Sequence, residues 1–289
     1  MENINLLKKN KLSDITNNII IWCILIAAFL FIIGPTVFMF TASAMPAKDI
    51  LAMPYRWIPE TFYWQNYVKA IEGNRGNFIF LRNILNSIIV STVITITTVF
   101  LSTITGYGLV KFKFRGRKLV FIAIMITMMI PFETIMIPLY LVATKLKIQD
   151  SYVGLTLPFL VNAFGIFLMR QYLIPFPDEF IDSARIDGAS EIGILFRIVL
   201  PNSIPAIATL AILTFRSQWD NLIWPLLIAQ REEMKTIPLY IIKFAAEKYS
   251  DEGALLAVAC IASLPIFLMF FLMSKYFVKG ASLFASRKG

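Results

Sequence analysis

Long apolar stretches separated by short charged ones run through the chain, and their lengths predict membrane-spanning helices. About 20 apolar residues are needed to cross ~30 Å of hydrocarbon at 1.5 Å per residue. Residues 15–47 carry no charge and predict a first span over Ile19 to Phe40. Residues 83–110, also uncharged, predict a second over Ile84 to Leu109. Leu119 to Leu141 predicts a third, interrupted by Glu133 and bent where Pro131 and Pro138 each remove a helical hydrogen bond. Val153 to Met169 predicts a fourth, Pro205 to Ala229 a fifth that contains Arg216 and Asp220, and Ala254 to Met273 a sixth. The expectation is an all-α integral membrane protein with six transmembrane helices; five or seven are the alternatives left by the third and fifth segments.

Composition agrees. Of 289 residues, 58% are hydrophobic and only 16% charged, which excludes an ordinary soluble enzyme. There is no histidine, and Cys23 and Cys260 lie inside apolar runs, so neither a zinc site nor a disulfide framework is implied and no cofactor is expected. The formal charge is +9, but its placement argues for membrane lipid and not for nucleic acid. The run Lys111-Phe-Lys-Phe-Arg-Gly-Arg-Lys118 holds five positive charges and no acid, which puts this loop in the cytoplasm. Six spans then place both termini there. Lys8, Lys9 and Lys11 precede the first apolar run and Ala42-Ser-Ala44 looks like a signal-peptidase site, but the run exceeds a signal core of about 7–15 residues. An uncleaved first helix is expected.

Two loops are long enough to hold function. Residues 48–82, on the outer side, contain Met53-Pro-Tyr-Arg-Trp-Ile-Pro59 and Phe62-Tyr-Trp-Gln-Asn-Tyr67. These aromatics form either a membrane-interface belt or a platform on which an external protein docks. Residues 170–201, on the inner side, read as helix–turn–helix. Pro177 with Asp178 and Glu179 marks a helix start. Phe180, Ala184 and Gly188 share one face, and Gly188 either ends the helix or admits another backbone. Ile192, Leu195, Phe196 and Val199 form a second apolar face that Pro201 stops. Within the spans, Arg216 and Asp220 stand i, i+4 and can neutralise one another. Alternatively they line a translocation path with Glu133, Trp219, Asn221 and Trp224, which suit a sugar through hydroxyl bonding and ring stacking.

The segment Asp182-Ser-Ala-Arg-Ile-Asp-Gly-Ala189, followed by Phe196, Ile198 and Leu200-Pro201, resembles the EAA loop of permease subunits in binding-protein-dependent ABC importers. It keeps Ala184, Asp187, Gly188 and Pro201, with Asp182 replacing the usual Glu and Ser183 the first Ala. Pro59 with Asn66-Tyr67, Asn86-Ser87, Phe112-Lys-Phe-Arg-Gly-Arg117, Met129-Ile-Pro131, Ile137-Pro138, Phe167-Leu-Met-Arg170, Trp219-Asp-Asn-Leu-Ile-Trp-Pro-Leu226 and Phe277-Val-Lys-Gly280 are similar, in order, to carbohydrate-importer permeases of the maltose-system type. The resemblance implies a type I ABC importer permease fold. It also implies a loop (Asp182, Ser183, Ala184, Asp187, Gly188, Ala189, Phe196, Pro201) seated on a cytoplasmic ATP-binding subunit dimer, an extracytoplasmic solute-binding protein, a second permease in a heterodimer, and a saccharide substrate. Such permeases usually have Asn where Asp220 stands and no arginine at 216, a departure that admits a charged or modified saccharide.

Residues 1–82 are read as the tail, first helix and outer loop, 83–273 as the transport core and 274–289 as a cytoplasmic tail. The chain has no GxxxxGK[ST], HExxH or GxSxG, so it is expected to be no enzyme and to depend on a partner for ATP hydrolysis. The rival reading is an ion-gradient-driven secondary transporter that uses Glu133 and Asp220.

Overall fold

The structure is a computed structural model that describes residues 2–50, 52–54, 57–73, 78–246 and 251–285, with side chains for those between 17 and 276. All regular structure among the described residues is helical. The chain divides into two compact units, residues 1–70 with 248–261 and residues 71–247 with 262–289.

In the first unit, α1 (Glu2–Ala42) contains an apolar stretch, Asn17–Ala42, long enough to cross a bilayer. Its side chains from Ile19 to Ile32 are largely exposed, as contact with lipid requires. Two short helices follow, α2 (Ala47–Ile50) and α3 (Gln65–Glu72). Asn66, fully buried, ties the turn after α1 to α3: its amide donates to the carbonyls of Ser43 at 2.9 Å and Met45 at 2.7 Å. Trp57, Phe62 and Trp64 of the aromatic loop are exposed, and the Phe62 and Trp64 rings lie 4.2 Å apart. Tyr55 and Arg56 of that loop lie outside the described residues, as do the side chains of Phe277-Val-Lys-Gly280.

The second unit is built around α4 (Ile79–Lys111), whose 33 residues extend about 50 Å. One face of α4 is lined by small polar residues, among them Ser87, Ser91, Thr95, Thr98 and Ser102, all buried. Small side chains let helices approach closely where lipid supplies no hydrophobic drive for association. After α5 (Arg117–Thr127) the chain bends by 92° into α6 (Phe132–Lys145). The bend lies at Pro131, which is extended (ψ 139°) and has no N–H to give, whereas Pro138 stays inside α6. Of the two prolines expected to bend the third span, only Pro131 separates its helices.

The fourth span is also broken, which the sequence reading missed. α7 (Tyr152–Thr156) and a 3-10 turn at Leu157–Phe159 meet α8 (Ala163–Leu173) at 46°. Asn162 starts α8 as its N-cap, accepting from the Gly165 N–H at 3.2 Å. Next come α9 (Asp178–Ile186), α10 (Glu191–Ile194), a π turn at Leu195–Val199 and α11 (Leu200–Asn202). A 78° bend at Ser203 leads into α12 (Ile204–Trp219).

The expected fifth span over Pro205 to Ala229 is therefore corrected. Helix α12 stops at Trp219 with Asp220 as its C-cap, and a separate helix, α13 (Ile223–Ile228), follows. The chain continues through a 3-10 turn at Glu232–Met234 to α14 (Ile237–Ala246) and α15 (Glu252–Ala285). Three single helices have the length and apolarity of a crossing, and counting each of the three bent pairs as one raises the number to as many as six among the described residues.

Close packing holds the second unit together. A Cβ on Gly165 of α8 would collide with Ser102 of α4, and one on Gly106 of α4 would lie 3.0 Å from the Arg170 amide nitrogen. A separate core cluster gathers Val90, Ile94, Leu155, Trp224 and Ile228. Trp224 satisfies its one polar atom there by donating its indole N–H to the Gly154 carbonyl at 2.9 Å.

Candidate functional site

The 170–201 segment forms a hairpin of helices that is anchored on one side and bare on the other. Pro177 opens α9 and Asp178 and Glu179 occupy its first turn, as expected. Gly188 closes it: the Gly188 N–H bonds the Arg185 carbonyl at 3.0 Å and the Ala189 N–H the Ala184 carbonyl at 2.9 Å. This Schellman pair needs a left-handed residue, and Gly188 supplies φ +80°. Of the two uses expected for Gly188, ending the helix is the one its own backbone demands. Ser190 then caps α10 by accepting from the Gly193 N–H at 3.2 Å.

The faces differ from the expected ones. Helix α9 buries Ile181 and half-buries Ala184, while Phe180 stays exposed. Beyond it, Ile194, Leu195 and Val199 are buried, whereas Ile192 and Phe196 are exposed, with the Phe196 ring 6.1 Å from Phe100. The π turn explains the change. Its i→i+5 bonding puts Ile194 and Val199 on one side, both fully buried, where an α-helical count pairs Ile192 with Phe196. Pro201 does not stop the helix, which runs on to Asn202. A proline ring crowds the carbonyl four residues back, here Arg197 inside the π turn, where a wider coil has room for it.

Electrostatics anchor the hairpin. Arg185 donates to Glu191 Oε1 at 2.7 Å and to Asp182 Oδ1 at 3.0 Å, and Glu191 above all pushes the guanidinium pKa up. Asp182 thus already has a basic partner within its own helix, while Asp187 is the exposed C-cap. The Ser183 hydroxyl bonds back to the Glu179 carbonyl at 2.7 Å. Two residues not picked out from the sequence complete the anchor: the Tyr107 hydroxyl donates to Glu191 Oε2 at 2.9 Å, and Lys111 Nζ bonds Asp178 Oδ1 at 2.6 Å. The Lys111 ammonium holds the Asp178 carboxyl below the usual carboxylate range. Lys111 belongs to the basic run 111–118, yet its side chain is 5% exposed. A tyrosine and a lysine at i, i+4 closing an uncharged helix were the available signal. On the other side the tip is bare, with Ile186 86% and Ile192 71% exposed.

The residues grouped as a path separate into two kinds. Trp219 is 3% exposed, stacks on Phe215 and donates its indole N–H to the Ala262 carbonyl at 3.1 Å. Trp224 is buried as described above. Both indoles are thus committed to packing. Arg216 and Asp220, by contrast, are exposed and pair at 3.6 Å with side chains 69% and 56% accessible. Asn221 Nδ2 bonds Gln218 Oε1 at 3.3 Å. Glu133 is exposed in the first turn of α6, next to Phe132, whose ring meets Trp224 edge-on at 6.1 Å.

The chain also has counterparts among known proteins. Residues 98–282 match the family described as the binding-protein-dependent transport system inner membrane component. The chain belongs to this family. The permease is 34% identical over 222 residues to the arabinooligosaccharides transport system permease of Bacillus subtilis, covering 77% of this chain and 78% of that one. It is also 34% identical over 263 residues to the sn-glycerol-3-phosphate transport system permease of Pectobacterium atrosepticum, covering 89% and 92%. The solved bacterial ABC transporter involved in import of the acidic polysaccharide alginate superposes with a TM-score of 0.80 at 24% identity, over 92% of this chain and 98% of that chain, which shows a shared fold.

The permease is accordingly a multi-pass membrane transport subunit and not an enzyme, and its family works with an ATPase and a solute-binding protein. Coupling to ATP in this family sets aside the ion-gradient reading built on Glu133 and Asp220.

Proposed function

We propose that the permease forms one half of a heterodimeric membrane channel that passes a sugar or oligosaccharide inward, driven by an ATPase dimer that docks on residues 178–201. The reading rests above all on the hairpin tip. On this capped and ion-paired turn the exposed Ile186 and Ile192 side chains gain nothing from the fold of the permease itself. Burial against a partner supplies that gain. Asp182, Ser183, Ala184, Asp187, Gly188, Ala189, Phe196 and Pro201 then belong to the docking element, with residues 83–273 as the transport core and residues 1–82 and 274–289 as flanking parts. Five basic charges over 111–118 favour a cytoplasmic position for this side, and with it for both termini.

The exposed Arg216–Asp220 pair supports a second permease across a wet path. Ionisable groups within a span cost several kcal/mol in lipid and belong on a polar interior, and among the described residues this pair is left exposed. Arg216, Asp220, Asn221 and Glu133 are the proposed lining on this side, with Trp219 and Trp224 shaping it from behind. The relative named for arabinooligosaccharides favours a saccharide cargo.

The test is affinity purification of the tagged permease from its own membrane, with Ile186→Asp beside it. Wild type should bring down an ATPase and a different six-span permease, and Ile186→Asp should lose the ATPase while keeping the second permease. Retention of the ATPase by Ile186→Asp, with uptake unchanged, refutes docking at the tip.

A further inference from the structure

The two ends of α4 are bolted to opposite extremes of the second unit. At its last turn, Tyr107 and Lys111 stand i, i+4 and are almost fully buried. Lys111 holds the first residue of α9 through Asp178 Oδ1 and the chain just before it through the Phe176 carbonyl at 2.5 Å. Tyr107 holds the far flank of α9, since its partner Glu191 in turn grips Arg185 across the Gly188 turn. Both ends of α9 are therefore tied to one turn of a helix that is distant in sequence.

The first turns of α4 carry a second set of buried bonds. The Asn86 amide donates to the Glu233 and Lys235 carbonyls, each at 2.8 Å, and accepts from the Tyr152 hydroxyl at 2.7 Å. The Ser87 hydroxyl accepts the Ile237 N–H at 2.8 Å. Asn83, with its amide turned to donate, reaches the Glu232 and Lys235 carbonyls at 3.1 Å. Buried polar groups that give up such partners are left unsatisfied; this applies to Asn83, Asn86 and Ser87 at one end and to the Tyr107 and Lys111 donors at the other, whose acceptors Glu191 and Asp178 are themselves accessible. Between the two ends α4 runs uninterrupted, with no proline, whereas three of the other spans are broken.

We propose that α4 is the rigid rod that carries movement of α9 to residues 232–237 at its other end, with Tyr107 and Lys111 as positioning residues for the stroke and Asn83, Asn86 and Ser87 as its outlet. The proposal rests on α9 being the ATPase-docking element. A displacement at one end of a stiff helix with fixed joints appears at the other without any change in the packing between them. The loop 232–237 is then the element whose exposure follows the nucleotide state.

The experiment uses the assembled importer in lipid, with the exposed Glu233 replaced by cysteine in a Cys23→Ser, Cys260→Ala background, and follows the rate of thiol labelling with and without ATP. In the parent, ATP should change that rate. Tyr107→Phe, Lys111→Met and Asp178→Asn, the last acting at the exposed partner where folding is least at risk, should shrink the ATP-dependent change by about tenfold while the ATPase stays bound. Lys111→Arg, which keeps the ion pair, should restore it. A full ATP response in the three disrupting variants overturns the proposal and leaves docking intact. Release of the ATPase by those variants also overturns it, because the links then seat the partner and transmit nothing. Failure of an Ile186→Cys permease to cross-link to the ATPase removes the docking reading itself.

Discussion

Gly188 offers two explanations with opposite rank orders. Its φ of +80° at the end of α9 disfavours any side chain, by roughly 1–2 kcal/mol for alanine, equivalent to about a tenfold shift in the population of the native turn. Asparagine adopts this backbone more readily. A Cβ built on Gly188 meets no neighbouring atom within 4 Å, so within the permease alone the backbone strain is the only penalty. If the turn matters only as a helix terminator, transport should fall in the order Gly, Asn, Ala. If a partner backbone seats against the glycine, the larger side chain is worse and the order is Gly, Ala, Asn, with Asp below Asn because it adds a charge. The assay is ATP-driven uptake by the reconstituted importer, with the amount of bound ATPase measured in each sample. We expect the second order, with Asn and Asp losing more than the tenfold that strain alone explains. The first order would falsify close docking at Gly188, and wild-type uptake in all variants would remove both roles.

Three further outcomes are expected. Gly165→Ala forces a Cβ into Ser102 of α4 and should destabilise the bundle by about 1–3 kcal/mol, seen as a lower unfolding temperature in detergent, whereas Gly108→Ala, whose Cβ meets no atom within 4 Å, should not. Asp220→Asn should leave expression and assembly intact, because the pair is exposed, and should alter uptake; lost assembly with normal specific uptake would make the pair structural. Asp178 has a depressed pKa because of Lys111, so its contribution is present at neutral pH and is lost as pH falls through the folded value, below the ordinary carboxylate range. Protease resistance of the 178–191 hairpin should then differ between wild type and Asp178→Asn at neutral pH, with the gap starting to close below about pH 4 and vanishing only below the folded value; identical resistance at neutral pH would remove the Asp178 link.

Much was readable one residue at a time. Uncharged stretches such as 15–47 and 83–110 must be helical and membrane-spanning because no other single-segment structure satisfies its own backbone in lipid. Pro177, Asp178 and Glu179 begin α9 and Gly188 ends it, because caps act within a few residues of where they stand. The order of motifs from Pro59 to Gly280 pointed to the family, since it records spacing and not contact.

What depends on the other side of a contact was decided only in three dimensions. Trp219 and Trp224 look like sugar platforms in sequence, but their indoles are taken by the Ala262 and Gly154 carbonyls. Leu195 and Val199 are buried as the apolar pattern implied, yet the π turn preceding Pro201 adds Ile194 to them and leaves Ile192 and Phe196 exposed. Lys111 counts as one more surface charge until the fold encloses it between Phe176 and Asp178. The physical reason is common to all three. Apolarity and backbone preference belong to a residue and its neighbours along the chain, whereas hydrogen-bond satisfaction and burial belong to pairs of residues that only the packed helices bring together.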